Sequence, residues 1–92
     1  MKNETNIDQL LDAILSLKDK DECRSFLQDL CTFTEINAMA QRLEVAQLLN
    51  QGLIYSEILE RTGTSSATVS RINRALRYGS GGYQIVLERL EQ

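Results

Sequence analysis

YSEILERTGTSSATVSRINRAL, residues Tyr55 to Leu76, decides the fold of this chain. It opens with a short amphipathic segment in which Ile58 and Leu59 are the apolar pair. Thr62-Gly63-Thr64 interrupts that segment, and glycine takes the left-handed conformation that ends a helix at little steric cost. Ser65 then supplies a cap for a second helix. There Val69, Ile72 and Leu76 recur three and four residues apart on one side, while Ser66, Ser70, Arg71, Arg74 and Arg77 fall on the other. A short helix, a glycine turn and a helix with one polar-basic face predict a helix-turn-helix over residues 55–77.

The chemistry of that face suits double-stranded DNA. Serine and threonine hydroxyls near a helix N-terminus are short enough to let the backbone approach base edges. Arginine forks onto guanine in the major groove or clamps a phosphate, and the free N–H groups of a first helical turn favour a phosphate. From Arg61 to Leu87 there are four arginines and no carboxylate, a local charge of +4 in a chain whose net charge is −3. Ser65, Ser66, Ala67, Ser70 and Arg71 are the expected base-facing residues, and Thr68, Asn73, Arg74 and Arg77 the expected phosphate contacts or supports. Two blander readings stand beside this one. The segment is also what a solvated helical hairpin would show, or an adaptor that keeps the helix-turn-helix shape and binds protein. Overall acidity favours the adaptor; the concentrated arginine patch opposes it.

Ninety-two residues make one small domain. Histidine is absent, which removes the commonest general base and metal ligand. Glu57 and Glu60 are carboxylates at helical spacing with no nucleophile or base to join them, so no enzyme, metal or cofactor is expected. Cys23 and Cys31 lie on one predicted helix, about 12 Å of rise apart. A disulfide needs Cα atoms within about 7 Å, so they read as reduced thiols of a cytosolic protein. The polar N-terminus MKNETNIDQL has no signal-peptide pattern, and no run is long and apolar enough to span a membrane. A soluble, cytoplasmic protein is expected.

Outward from the central stretch the chain reads as helices throughout. Residues Met1 to Thr5 are expected to fray, with a first helix over 7–17 capped by Asn6 and an apolar face of Ile7, Leu10, Leu11, Ile14 and Leu15. A second helix runs to Cys31 with Cys23, Phe26, Leu27, Leu30 and Cys31 on its apolar side. Thr32 and Glu35 have capping-box spacing and start a third helix, which places Ile36, Met39, Ala40, Leu43, Ala46 and Leu49 inward and stops at Gln51-Gly52. After the helix-turn-helix, Gly79-Ser80-Gly81-Gly82 is a flexible link to a last helix over 83–90, with Tyr83, Val86, Leu87 and Leu90 on one stripe. Helices 7–50 and 83–90 carry more apolar surface than one helix-turn-helix needs, which marks them as expected dimerisation elements, with a compact monomeric bundle as the blander alternative. Two-fold symmetry then lets two recognition helices read half-sites about one turn apart.

GTSSATVSR at Gly63–Arg71 resembles the Trp repressor family, and more closely its YerC/YecD group of Gram-positive bacteria. EINAMAQRLEVAQLL at Glu35–Leu49, Ser56-Glu57-Ile58, RINRALRYG at Arg71–Gly79, and Gly82-Tyr83 before a final helix extend the likeness over nearly the whole chain. The resemblance implies an all-α, six-helix, intertwined homodimer that binds operator DNA as a transcriptional repressor. It also implies a corepressor site in which two arginines sandwich an indole. Arg71 matches the second arginine, but an ungapped match through Leu48-Leu49 puts Leu43 at the first, and Arg42 points about 100° away. Ile72 replaces a family glycine and Ala75 a family serine. A charge is removed, a space filled and a hydroxyl deleted, so free tryptophan is not expected to be a tight effector. The family serine cap of the first helix-turn-helix helix is Ile54 here, with Ser56 or an Ile54 staple as substitutes, and Leu59 stands where many such motifs have a small residue.

Overall fold

A computed structural model of the protein describes residues 2–91, with side chains from Asn6 onward. Six helices follow one another and no strand forms among the described residues: α1 (Lys2–Leu15), α2 (Lys20–Leu30), α3 (Phe33–Asn50), α4 (Tyr55–Thr62), α5 (Ser66–Tyr78) and α6 (Gly82–Leu90). The all-α class expected from the periodicity is what the chain adopts. By its internal packing the chain divides after Ile36 into two compact units.

In the N-terminal unit the helices are set by their caps. The Asp19 carboxylate accepts the Glu22 N–H at 2.8 Å, and the Glu22 side chain accepts the Lys18 N–H at 2.9 Å. The first bond pairs a donor that the first turn of α2 leaves unpaired, and the second ties the residue before the cap back to that turn. Thr32 and Glu35 exchange the reciprocal bonds of a capping box, at 2.8 and 3.1 Å. Among the residues from Asn6 to Ile36 no side chain is buried; Cys23, Phe26, Leu27, Cys31 and Ile36 are half-covered. The expected frayed start is corrected from Lys2 onward: α1 begins there, so Asn6 lies inside the helix and caps nothing. Nothing between Lys2 and Asn6 is a glycine or proline, so no residue forces a later start. Met1 lies outside the described residues. Helix α2 ends one residue early, with Cys31 as its C-cap and the Cys31 N–H bonded to the Leu27 carbonyl at 2.8 Å.

The C-terminal unit holds a continuous core. Val45, Ala46 and Leu49 from α3, Ile58 from α4, Val69, Ile72 and Leu76 from α5, and Leu87 from α6 are buried together. Leu43, Leu48, Leu53, Leu59 and Tyr83 pack around them. Helix α5 sits against both α4 and α6. Two expectations are corrected here, one on α3 and one on α6. Val45 belongs to the core, whereas Met39 and Ala40 are exposed. On α6 only Leu87 is buried; Val86 and Leu90 face out. Gly79 ends α5 as its C-cap, with its N–H on the Ala75 carbonyl at 2.9 Å, and a Cβ there would collide with that oxygen.

Candidate nucleic-acid interface

The turn between α4 and α5 is built from backbone freedom and hydroxyl groups. Gly63 sits at φ 72°, ψ 10°, a left-handed conformation that side-chain-bearing residues adopt at a cost, and its N–H closes α4 on the Leu59 carbonyl at 2.9 Å. The Thr62 hydroxyl donates to the Ile58 carbonyl at 2.7 Å and takes bonds from Thr64, at 2.8 Å from its hydroxyl and 3.3 Å from its N–H. From α3, the Gln41 amide donates to the Thr62 carbonyl at 3.1 Å. These bonds fix the corner from which α5 departs. Ile54 precedes α4 with no side-chain cap bond and is itself exposed, so it does not pack as a staple.

Ser65 begins α5. Its Oγ accepts the Thr68 N–H at 3.1 Å and its hydroxyl donates to the Thr68 Oγ1 at 2.9 Å. Ser65 and Thr68 therefore engage each other, and Thr68 is half-buried. Asn73, also half-buried, accepts the Arg77 Nε–H at 3.3 Å and braces that arginine. Ser66, Ala67, Ser70, Arg71, Arg74 and Arg77 are all exposed. With Val69, Ile72 and Leu76 fixed inward, helical phase puts Ala67, Ser70, Arg71 and Arg74 on the stripe opposite the core. The nine expected residues thus divide into an outward set and three that shape the helix start and hold Arg77.

Tyr78 continues the outward stripe one turn beyond Arg74 and is 85% exposed, a residue the sequence reading passed over as a helix end. Its signal was its position, seven residues after Arg71 and four after Arg74. Among the described residues the one ion pair joins Arg24 to Asp21, so no carboxylate neutralises Arg61, Arg71, Arg74 or Arg77. The outward face presents hydroxyls, a methyl, guanidinium forks and a phenol over a rigid base. That arrangement can hydrogen-bond to phosphates and base edges.

A buried scaffold with an exposed polar-basic second helix defines an all-α helix-turn-helix protein. A family model described as Trp repressor protein matches residues 5–91. The uncharacterized protein YerC of Bacillus subtilis is 50% identical over 86 residues, 94% of this chain and 83% of that protein. The crystal structure of a TrpR like protein from Eubacterium eligens superposes with a TM-score of 0.90 at 50% identity, covering 96% of this chain and 91% of that one. A solved structure from Staphylococcus aureus gives 0.89 at 42% identity, with 95% and 87% covered. The chain belongs to the Trp repressor family.

Proposed function

We propose that the protein is a sequence-specific DNA-binding transcriptional regulator, a repressor that acts in the cytoplasm as a homodimer on a two-fold symmetric operator. The observation that carries this is the outward face of α5. Ser70, Arg71 and Arg74 are exposed opposite a core of Val69, Ile72 and Leu76, in a stretch with no carboxylate from Arg61 to Leu87. Ser66, Ala67, Ser70 and Arg71 are assigned to base edges, and Arg74 and Arg77 to phosphates. Ser65, Thr68 and Asn73 support them.

Fluorescence anisotropy against a pool of random duplexes, repeated across salt, tests the reading. Wild type is expected to enrich a palindromic sequence and to lose affinity steeply as salt rises. Arg74→Glu should bind about tenfold or more weakly, with a salt slope smaller by about one. Binding that never selects a sequence, with an unchanged slope in the variant, would turn the face over to a protein partner.

We also infer that free tryptophan is not a tight effector. Ile72 is buried within the core, and the cavity that Leu43 and Ala75 help to line, along with Tyr83 and Val86, has no charged residue on its walls. An indole there would lack a guanidinium to stack against, and the zwitterion's charges would lack partners. Titration calorimetry with L-tryptophan should show no saturable heat at micromolar concentrations; a saturable isotherm in that range overturns the inference.

A further inference from the structure

Tyr78 is the last residue of α5 and stands apart from the other two tyrosines of the chain. Tyr83 packs against the core and Tyr55 is 36% exposed, whereas Tyr78 is 85% exposed. Its backbone is fixed all the same. The Gly79 N–H closes α5 on the Ala75 carbonyl directly after it, and Leu76, two residues before it, is buried. Seven residues bring an α-helix back to within about 20° of its starting direction. Tyr78 therefore lies in line with Arg71, with Arg74 one turn before it, in a stretch that has no carboxylate from Arg61 to Leu87.

Resting on the DNA reading above, we propose that the Tyr78 hydroxyl donates a hydrogen bond to a DNA phosphate at the rim of the major groove, and so adds affinity without reading sequence. Position along the helix selects the phosphate over a base. Tyr78 stands about 12 Å further along the axis than Ser70, and the major groove is about 8.5 Å deep. A helix that enters N-terminal end first, with Ser70 near base edges, carries Tyr78 out to the sugar-phosphate wall. Arg74 and Tyr78 are about 6 Å of rise apart, and each DNA strand carries a phosphate about every 3.4 Å of its axis. One strand can thus supply a partner to each. The two contacts differ in kind. A phenol donates without carrying a charge, so its bond to a phosphate releases no counterion, whereas an arginine contact does.

Fluorescence anisotropy with Tyr78→Phe, across salt, tests this on the duplex that wild type selects and on a scrambled duplex. Phenylalanine keeps the ring and removes only the hydroxyl. Affinity should fall about fivefold on both duplexes, with the salt slope of wild type retained. Tyr78→Arg places a charge at the same point and should steepen the slope by about one. Neither variant should move the thermal midpoint, because the side chain is exposed. Wild-type affinity in Tyr78→Phe overturns the proposal. So does a loss confined to the selected duplex, which would make Tyr78 a reader of bases. Arg74→Glu, measured alongside, separates this contact from the reading beneath it. Weaker binding and a flatter slope in Arg74→Glu, beside an unchanged Tyr78→Phe, leave the DNA reading standing and remove only the tyrosine contact. A wild type that selects no sequence, with a slope that Arg74→Glu does not alter, overturns both.

Discussion

The two units of this chain solve the same problem in opposite ways. From Asn37 onward, four helices contribute to one core, and Val45, Ala46, Ile58 and Val69 are fully shielded from solvent. From Asn6 to Ile36, helices of comparable length carry comparable apolar stripes and bury none of them. The difference lies in where the covering surface comes from. The C-terminal unit supplies its own, because the turn at Gly63 folds α5 back onto α4 and α6 returns onto α5. The N-terminal unit is shaped by caps, and capping fixes where helices begin without burying a face.

Truncation in the two units tests that contrast most severely. Ile58→Ala removes a fully buried side chain and should cost about 3 kcal/mol, with an urea midpoint lowered at every protein concentration. Leu11→Ala removes a side chain that is half exposed, and in dilute protein it should change stability by no more than about 0.5 kcal/mol. At high concentration the same change should weaken self-association. Unfolding curves collected across concentration separate the two. Equal losses from both variants in dilute protein would break the comparison.

The C-terminal unit was legible in the sequence where one residue type answers one geometric demand. Gly63 ends a helix, Ser65 starts the next, and Val69, Ile72 and Leu76 give α5 a single inward phase. Helix α3 was less legible for the converse reason. Apolar residues at Ile36, Met39, Ala40, Leu43, Val45, Ala46, Leu48 and Leu49 surround the helix, so periodicity alone gives no phase. Only the arrival of α4 and α5 selects Val45 over Met39. At the candidate interface, outward and inward sides of α5 followed from phase alone. That Ser65 closes on Thr68 and Asn73 holds Arg77 depends on rotamers, and the Gln41 bond to the Thr62 carbonyl joins residues 21 positions apart. None of these has a local signature.

The start of α5 sharpens the contrast at a smaller scale, since there a cap works beside a buried core. Ser65→Ala removes the acceptor for the Thr68 N–H and should cost about 1 kcal/mol in thermal or urea unfolding. Ser65→Asp keeps an acceptor for that N–H and suits the positive end of the helix, so stability should be retained. On the proposed reading DNA affinity should fall all the same, because a carboxylate would stand beside the arginine face assigned to phosphates. Stability and affinity lost together in both variants would mean that Ser65 acts only through the fold.

The smallest effect concerns the cap that starts α3 beneath no cover at all. Hydrogen bonds from the Thr32 backbone N–H, and then from its side chain, hold the Glu35 carboxyl below its ordinary value of 4.5. A depressed carboxyl contributes stability that is fully present above the unfolded value and is lost as pH falls through the folded one. Order at Thr32–Glu35 should therefore be constant near neutrality and decline below pH 4.5, followed through the Thr32 amide and the Glu35 carboxyl carbon by NMR. Glu35→Gln keeps an oxygen acceptor for the Thr32 N–H but cannot titrate, so its amide signal should be flat over the same window. A Glu35 carboxyl that titrates at the ordinary value would show the box to be open in solution. The first turn of α3 would then owe its order to whatever covers Phe33 and Ile36, and assembly rather than capping would set the boundary of the helix.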